Sequence, residues 1–148
     1  MPVREATPTD VPLVRALQSL LPEPVEDLFA DGLPAGLTFV AVPAGAWTPP
    51  GDPGDGHPVG YVHAYDTGYV SELAVAPEHR GRGHGRDLLS RCLAELRARG
   101  VERAELEVAA DNERARSLYE SLGFAVAERR PDRYASGEGL RMTVDLTD

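Results

Sequence analysis

Lysine is absent from the 148 residues, and there is one cysteine, Cys92. A single thiol excludes an internal disulfide and any small secreted fold stapled by cystines, so the composition fits a cytoplasmic chain. Without lysine there is no P-loop, because G-x-x-x-x-G-K-[ST] needs that residue on the phosphates. All 15 basic residues are arginine. No apolar stretch approaches the roughly 20 residues that span a bilayer, and the N-terminus lacks the pattern of a secretory leader. Basic charge is in deficit: 15 Arg against 24 Asp and Glu leaves a net charge of -9. That balance argues against nonspecific binding to nucleic acid or to an anionic membrane. No His, Cys and Asp cluster has metal-ligand spacing, so no metal is expected, and no Ser-His-Asp set is in view. Repeats, a linker and a second domain are missing too. The length suits one domain, 1–148, with a substantial core.

Against this acidic background, arginine and glycine gather in one run: Leu73-Ala74-Val75-Ala76-Pro77-Glu78-His79-Arg80-Gly81-Arg82-Gly83-His84-Gly85-Arg86. An apolar strand breaks at Pro77, a loop of alternating Arg and Gly follows, and a helix is predicted over Asp87–Arg99 with Gly100 as its C′ residue. Glycines let backbone N–H groups crowd toward one point, and the helix N-terminus adds partial positive charge. Such a cradle suits a phosphate or pyrophosphate. It is not the Rossmann fingerprint, which needs G-x-G-x-x-G after a first strand.

Around this run the pattern predicts strands at Val3–Ala6, Leu37–Val42, Val59–Tyr65, Tyr69–Ala76, Ala104–Ala109, Phe124–Arg129 and Gly139–Leu146. Thr9-Asp10 offers an N-cap to a helix with Val11, Leu13, Val14, Leu17, Leu20 and Leu21 on its apolar side. A second short helix is expected around Val25–Ala30, and another over Asn112–Leu122. Asp66-Thr67-Gly68 reads as a hairpin turn. Residues 43–58 hold five prolines and four glycines and form a long flexible loop whose Trp47 either caps an acceptor pocket or tacks the loop to the body. Cys92, among Leu88, Leu89, Leu93 and Leu96, reads as core rather than nucleophile. The order implies a three-layer α/β domain with a mixed sheet.

Arg80-x-x-Gly83-x-Gly85, preceded by Leu73-x-Val75, resembles the coenzyme A pyrophosphate loop of the GNAT superfamily of N-acetyltransferases. Downstream, Glu107-Val-Ala-Ala-Asp-Asn112, then Leu118-Tyr119 and Gly123-Phe124, is similar to the second GNAT hallmark, in the right order. The resemblance covers residues 60–126 strongly and Val3–Asp10 loosely. It implies a central, mostly antiparallel mixed sheet flanked by helices and splayed at the cofactor strand. It implies an acetyl-CoA-dependent N-acetyltransferase, attacked directly by the acceptor in a ternary complex. Leu73, Ala74 and Val75 would pair through their backbone with the pantetheine arm, and Arg80, Gly81, Arg82, Gly83, His84, Gly85 and Arg86 would surround the pyrophosphate. Asn112 would bond the pantetheine arm, or serve as an ordinary helix N-cap, or both. The Tyr119 hydroxyl would protonate the leaving thiolate; the alternative is a tyrosine packed in the core beside Leu118 and Leu122. Family habit adds a homodimer.

The general base stays open between two glutamates and a water chain. Glu107 matches the proposed base of the ribosomal-protein N-terminal alanine acetyltransferase branch, and Glu72 occupies the place where many other members carry a carboxylate. The plainer reading of each is an outward-facing strand residue. His63, alternating with Tyr61 and Tyr65, either lines the acceptor cleft or is an ordinary surface or packed histidine. In Arg129-Arg-Pro-Asp-Arg133-Tyr134, Arg133 replaces the first tyrosine of the Tyr-Tyr pair of protein N-terminal acetyltransferases, a departure at the acceptor site. A small amine and a peptide N-terminus both remain as acceptors. A non-catalytic acyl-CoA-binding sensor is the alternative to an enzyme.

Overall fold

Apolar alternation builds the sheet first. In the computed structural model, which describes residues 3–21, 24–42, 58–134 and 137–147, β1 (Val3–Glu5), β2 (Leu37–Ala41), β3 (Gly60–Ala64) and β4 (Val70–Val75) form one antiparallel sheet in that order. The register sets Phe39 opposite Val62 and His63 opposite Glu72, and it slips between His63 and Ala64, which leaves Ser71 as the extra residue of a bulge. A second antiparallel sheet, ordered β5-β7-β6, comes from β5 (Arg103–Ala109), β6 (Ala125–Tyr134) and β7 (Gly137–Asp145).

The two sheets meet at one parallel bridge among the described residues, Tyr69 to Glu105, with the Glu105 amide donating to the Gly68 carbonyl at 2.9 Å. Gly68 closes the predicted 66–68 turn at φ 98°, and a Cβ there would run into the Arg103 carbonyl. Only glycine permits that approach. Beyond the bridge β4 and β5 diverge, so the expected mixed, splayed sheet is realised as two antiparallel halves hinged at this point.

One face of the sheets, with Phe39, Val62, Leu106 and Met142, packs on Leu88, Leu89, Cys92 and Leu96 of α2 (His84–Ala98). Burial pushes the Cys92 thiol up to about 12, so it stays protonated in the core as the sequence implies. The opposite face, with Val40, Tyr61 and Ala74, packs on Val14 and Leu17 of α1 (Val11–Gln18) and on Phe29. Three layers result. The last helix, α3 (Glu113–Ser121), packs Ala115 and Tyr119 onto the first core.

Several boundaries differ from expectation. The predicted helix at 25–30 is a series of turns: Asp27 has φ 59°, which a right-handed helix does not allow. Helix α1 stops at Gln18, leaving Leu20 and Leu21 beyond it. Helix α2 begins at His84 rather than Asp87, with Gly83 as its N-cap, and ends in a Schellman motif: Gly100 N–H donates to Arg97 and Val101 N–H to Leu96, both at 3.0 Å. Strand β6 continues past Arg129 to Tyr134. Trp47 and residues 43–57 lie outside the described residues.

Candidate active site

Where β4 leaves β5, a cavity of about 410 Å³ opens between the free edge of β4, the Arg–Gly loop and α3. Its wall includes Leu73, Ala74, Val75, Arg80, Gly81, Gly83, His84, Gly85, Arg86, Asn112 and Tyr119, so the structure brings together almost all of the predicted cofactor residues. Arg82 is exposed and stands outside the wall. Leu20, Leu21, Arg114, Ala115 and Leu118 line the cavity too, though none was expected from the sequence to bind the cofactor. Arg114 had a readable signal, as a cation two residues past the helix-capping Asn112.

The loop end of the cavity is built for an anion. Gly83 adopts φ 85° at the N-cap of the 15-residue α2, and a Cβ on Gly81 or Gly83 would meet nothing within 4 Å. That open space lies beneath unspent N–H groups of the first helical turn. Arg80 donates from Nε to the Val75 carbonyl at 3.1 Å, which ties the loop to the end of β4, and Arg86 donates to Ser121 Oγ at 2.8 Å, which ties it to α3. His84 is buried, and its Nδ1 has no partner. Burial holds its imidazole below the ordinary 6.5, with His79 and Arg82 pushing the same way and Asp87 opposing. Arg80, Arg86 and Arg114 are the charged side chains of the described wall, and none of its residues is a carboxylate. A pyrophosphate-bearing cofactor such as coenzyme A fits this donor set.

Tyr119 also lines the cavity, half-buried, and tilts against Phe124 with ring centroids 5.9 Å apart. Asn112 Oδ1 accepts from the Ala115 amide at 3.2 Å, so the N-cap reading holds, and the same residue lines the cavity. Both proposed bases lie off the wall. Glu107, its side chain 12% exposed, accepts from Arg130 Nη1 at 2.7 Å. Arg130 also pairs with Glu128, and Arg141 with Glu128 and Glu105, giving an alternating chain of charge across the face of the second sheet. Glu105 and Glu107 thus face away from Leu106 and Val108, as strand alternation requires. Glu72 is buried beneath β4, against Tyr61 and Gln18. His63 is fully buried: Ser71 Oγ approaches Nδ1, Nε2 faces the Ala35 carbonyl, and burial lowers its pKa. It packs in the interior instead of lining a cleft.

Residues 16–124 match the Acetyltransferase (GNAT) family. The chain belongs to that family. Over 74 residues this GNAT chain is 43% identical to the ribosomal protein bS18 alanine N-acetyltransferase of Salmonella typhimurium, covering 50% of each protein. Over 58 residues it is 55% identical to the mycothiol acetyltransferase of Beutenbergia cavernae, covering 39% of this chain and 20% of that one. The chain spans about half or less of the length of these curated relatives. Its structure superposes on the ribosomal-protein-S18-alanine N-acetyltransferase from Escherichia coli with a TM-score of 0.76 at 26% identity, over 99% of this chain and 94% of that one. The fold is also that of yncA from Salmonella typhimurium with its cofactor acetyl-CoA, at a TM-score of 0.77 and 19% identity over 100% and 95% of the two chains. Among the described residues of the GNAT chain there is no group of metal-binding side chains, and no helix is long and apolar enough to cross a membrane.

Proposed function

We propose that this chain is an acetyl-CoA-dependent N-acetyltransferase that modifies an α-amino group, at a peptide N-terminus or on a small amine of similar basicity. The observation that carries the reading is the cavity itself: an arginine- and glycine-built anion cradle and a tyrosine line it together, and no carboxylate stands in its described wall.

Acetyl-CoA supplies an activated acetyl thioester. The protein binds its pyrophosphate through the loop N–H groups and arginines, and orders its arm along the edge of β4, the last strand of its sheet among the described residues. The Tyr119 hydroxyl donates to the departing sulfur. A phenol of pKa about 10 gives its proton to a thiolate of pKa about 8.5 only weakly in the ground state, so its hydrogen bond counts most as charge develops. The acceptor must arrive neutral. A lysine-type amine of pKa about 10.4 costs roughly 4–5 kcal/mol to deprotonate at pH 7, and an α-amino group of pKa about 8 costs about 1 kcal/mol. A site whose two nearby glutamates are held by other donors suits the second amine, with water carrying the proton away.

The missing carboxylate also keeps a second reading, a binding module that holds acyl-CoA without transferring it. Calorimetry with coenzyme A, paired with thiol release from acetyl-CoA over a panel of amines and peptides, separates the two. Release with an amine establishes the enzyme. Tight coenzyme A binding with no release across the panel favours the binding module or an acceptor outside the panel.

A further inference from the structure

Glu72 is a buried carboxylate that the catalytic cycle proposed above does not use. Its side chain is 5% exposed, and among the described residues no cation pairs with it. Neutral donors surround it instead. Tyr61 donates its hydroxyl to Oε1 at 2.8 Å, the Val25 amide donates to Oε2 at 2.7 Å, and Gln18 Nε2 spans both oxygens at 3.2 and 3.1 Å. Gln18 Nε2 also donates to the Val25 carbonyl at 3.0 Å. With one Gln18 N–H on the Val25 carbonyl and the other shared between Oε1 and Oε2, three donors engage both oxygens of the carboxylate.

What these bonds hold in place is one wall of the cavity. Gln18 is the last residue of α1, and the chain beyond it carries Leu20 and Leu21, which line the same cavity as Leu73, Ala74 and Val75. Among the described residues of that stretch, 19–21 and 24–25, none lies in a helix or strand, and Leu20 and Val25 are exposed. Glu72 lies on β4 immediately before Leu73. We propose that Glu72 is a positioning residue: its carboxylate clasps Gln18 and Val25 to the cofactor strand and so fixes the wall against which the acceptor is placed. A glutamine cannot replace it, because one carbonyl oxygen would have to serve three donors.

This assignment rests on the transferase reading, and its test has one arm that does not. In hydrogen exchange on the free protein, Glu72→Gln and Gln18→Ala both accelerate exchange of the Leu20, Leu21 and Val25 amides, while those of Leu88–Leu96 in α2 stay protected. Unchanged exchange at Val25 in both variants overturns the clasp, whether or not any acceptor is turned over. In steady-state kinetics both variants raise KM for the acceptor about tenfold, with kcat within about twofold of the parent and an unaltered pH profile. The double variant is no worse than the poorer single one, because both break one network. Loss of kcat together with the acid limb of the profile in Glu72→Gln, with Gln18→Ala behaving as the parent, would make Glu72 the general base instead.

Discussion

Tyr119 is the only phenol in the described cavity wall, and the account gives it one task. Tyr119→Phe should lower turnover about 10²-fold, within the range of a lost general acid, while calorimetry finds coenzyme A affinity little changed; normal turnover would remove the role. Glu107 bears on the amine instead. With its carboxylate engaged by Arg130 and an α-amine as acceptor, Glu107→Gln should run at a constant fraction of the parent rate across pH. A deficit that deepens toward low pH would identify Glu107 as the base. Much of this was legible in single residues: the capping Asn112, the outward Glu107 and the core Cys92 follow from spacing and alternation. Glu72 does not face outward as strand alternation suggested: it is buried on the face of β4 that carries Ala74, and its donors Gln18 and Val25 lie far away in sequence and only the fold brings them near.

At the level of elements, the N-terminus of α2 makes the cradle, and Gly83 tests it. Gly83→Trp places a side chain in the open space above the loop at a φ that costs a non-glycine residue about 1–2 kcal/mol. Coenzyme A binding should vanish in calorimetry while the melting temperature falls only modestly; retained affinity would place the pyrophosphate elsewhere. Entry to α1 depends on Asp10, which accepts two bonds from Arg4, at 2.7 and 2.9 Å, and one from the Thr7 amide at 2.8 Å. Burial alone would raise its pKa, but Arg4 and Thr7 outweigh it and hold the carboxyl below its ordinary 3.8. The stabilisation is therefore complete above the unfolded value and is lost as pH falls through the folded one. Asp10→Asn should cost about 1 kcal/mol at pH 7, modest because Arg4 is half exposed. In thermal melts the gap from the parent should close below about pH 3.8; a gap that persists in acid would mean the ion pair is not its source. Strands and helix ends with strong punctuation, such as Gly100, were readable. The stretch at 25–30 was not, because its helix-like composition is overridden by Phe29 docking on Tyr61 and by the turn at Asp27.

For the whole molecule, the decisive feature is the hinge at Tyr69 and Glu105, which parts two antiparallel sheets and leaves the edge of β4 open beside a cationic loop. The Arg–Gly run could be read as a phosphate site from the sequence, but the walls that complete the cavity come from Leu20 and Leu21 beyond α1, from β4 and from α3, which only the fold assembles. The acidic body, with a net charge of -9, surrounds one arginine-lined opening, which suits a polyanionic cofactor. The central claim is that the acceptor is an α-amine, and thiol release from acetyl-CoA tests it with paired peptides. One peptide has a free N-terminus and no lysine; the other has a blocked N-terminus and a free lysine side chain. The account predicts release with the first and none above background with the second at pH 7. Equal or greater release with the lysine peptide would contradict it.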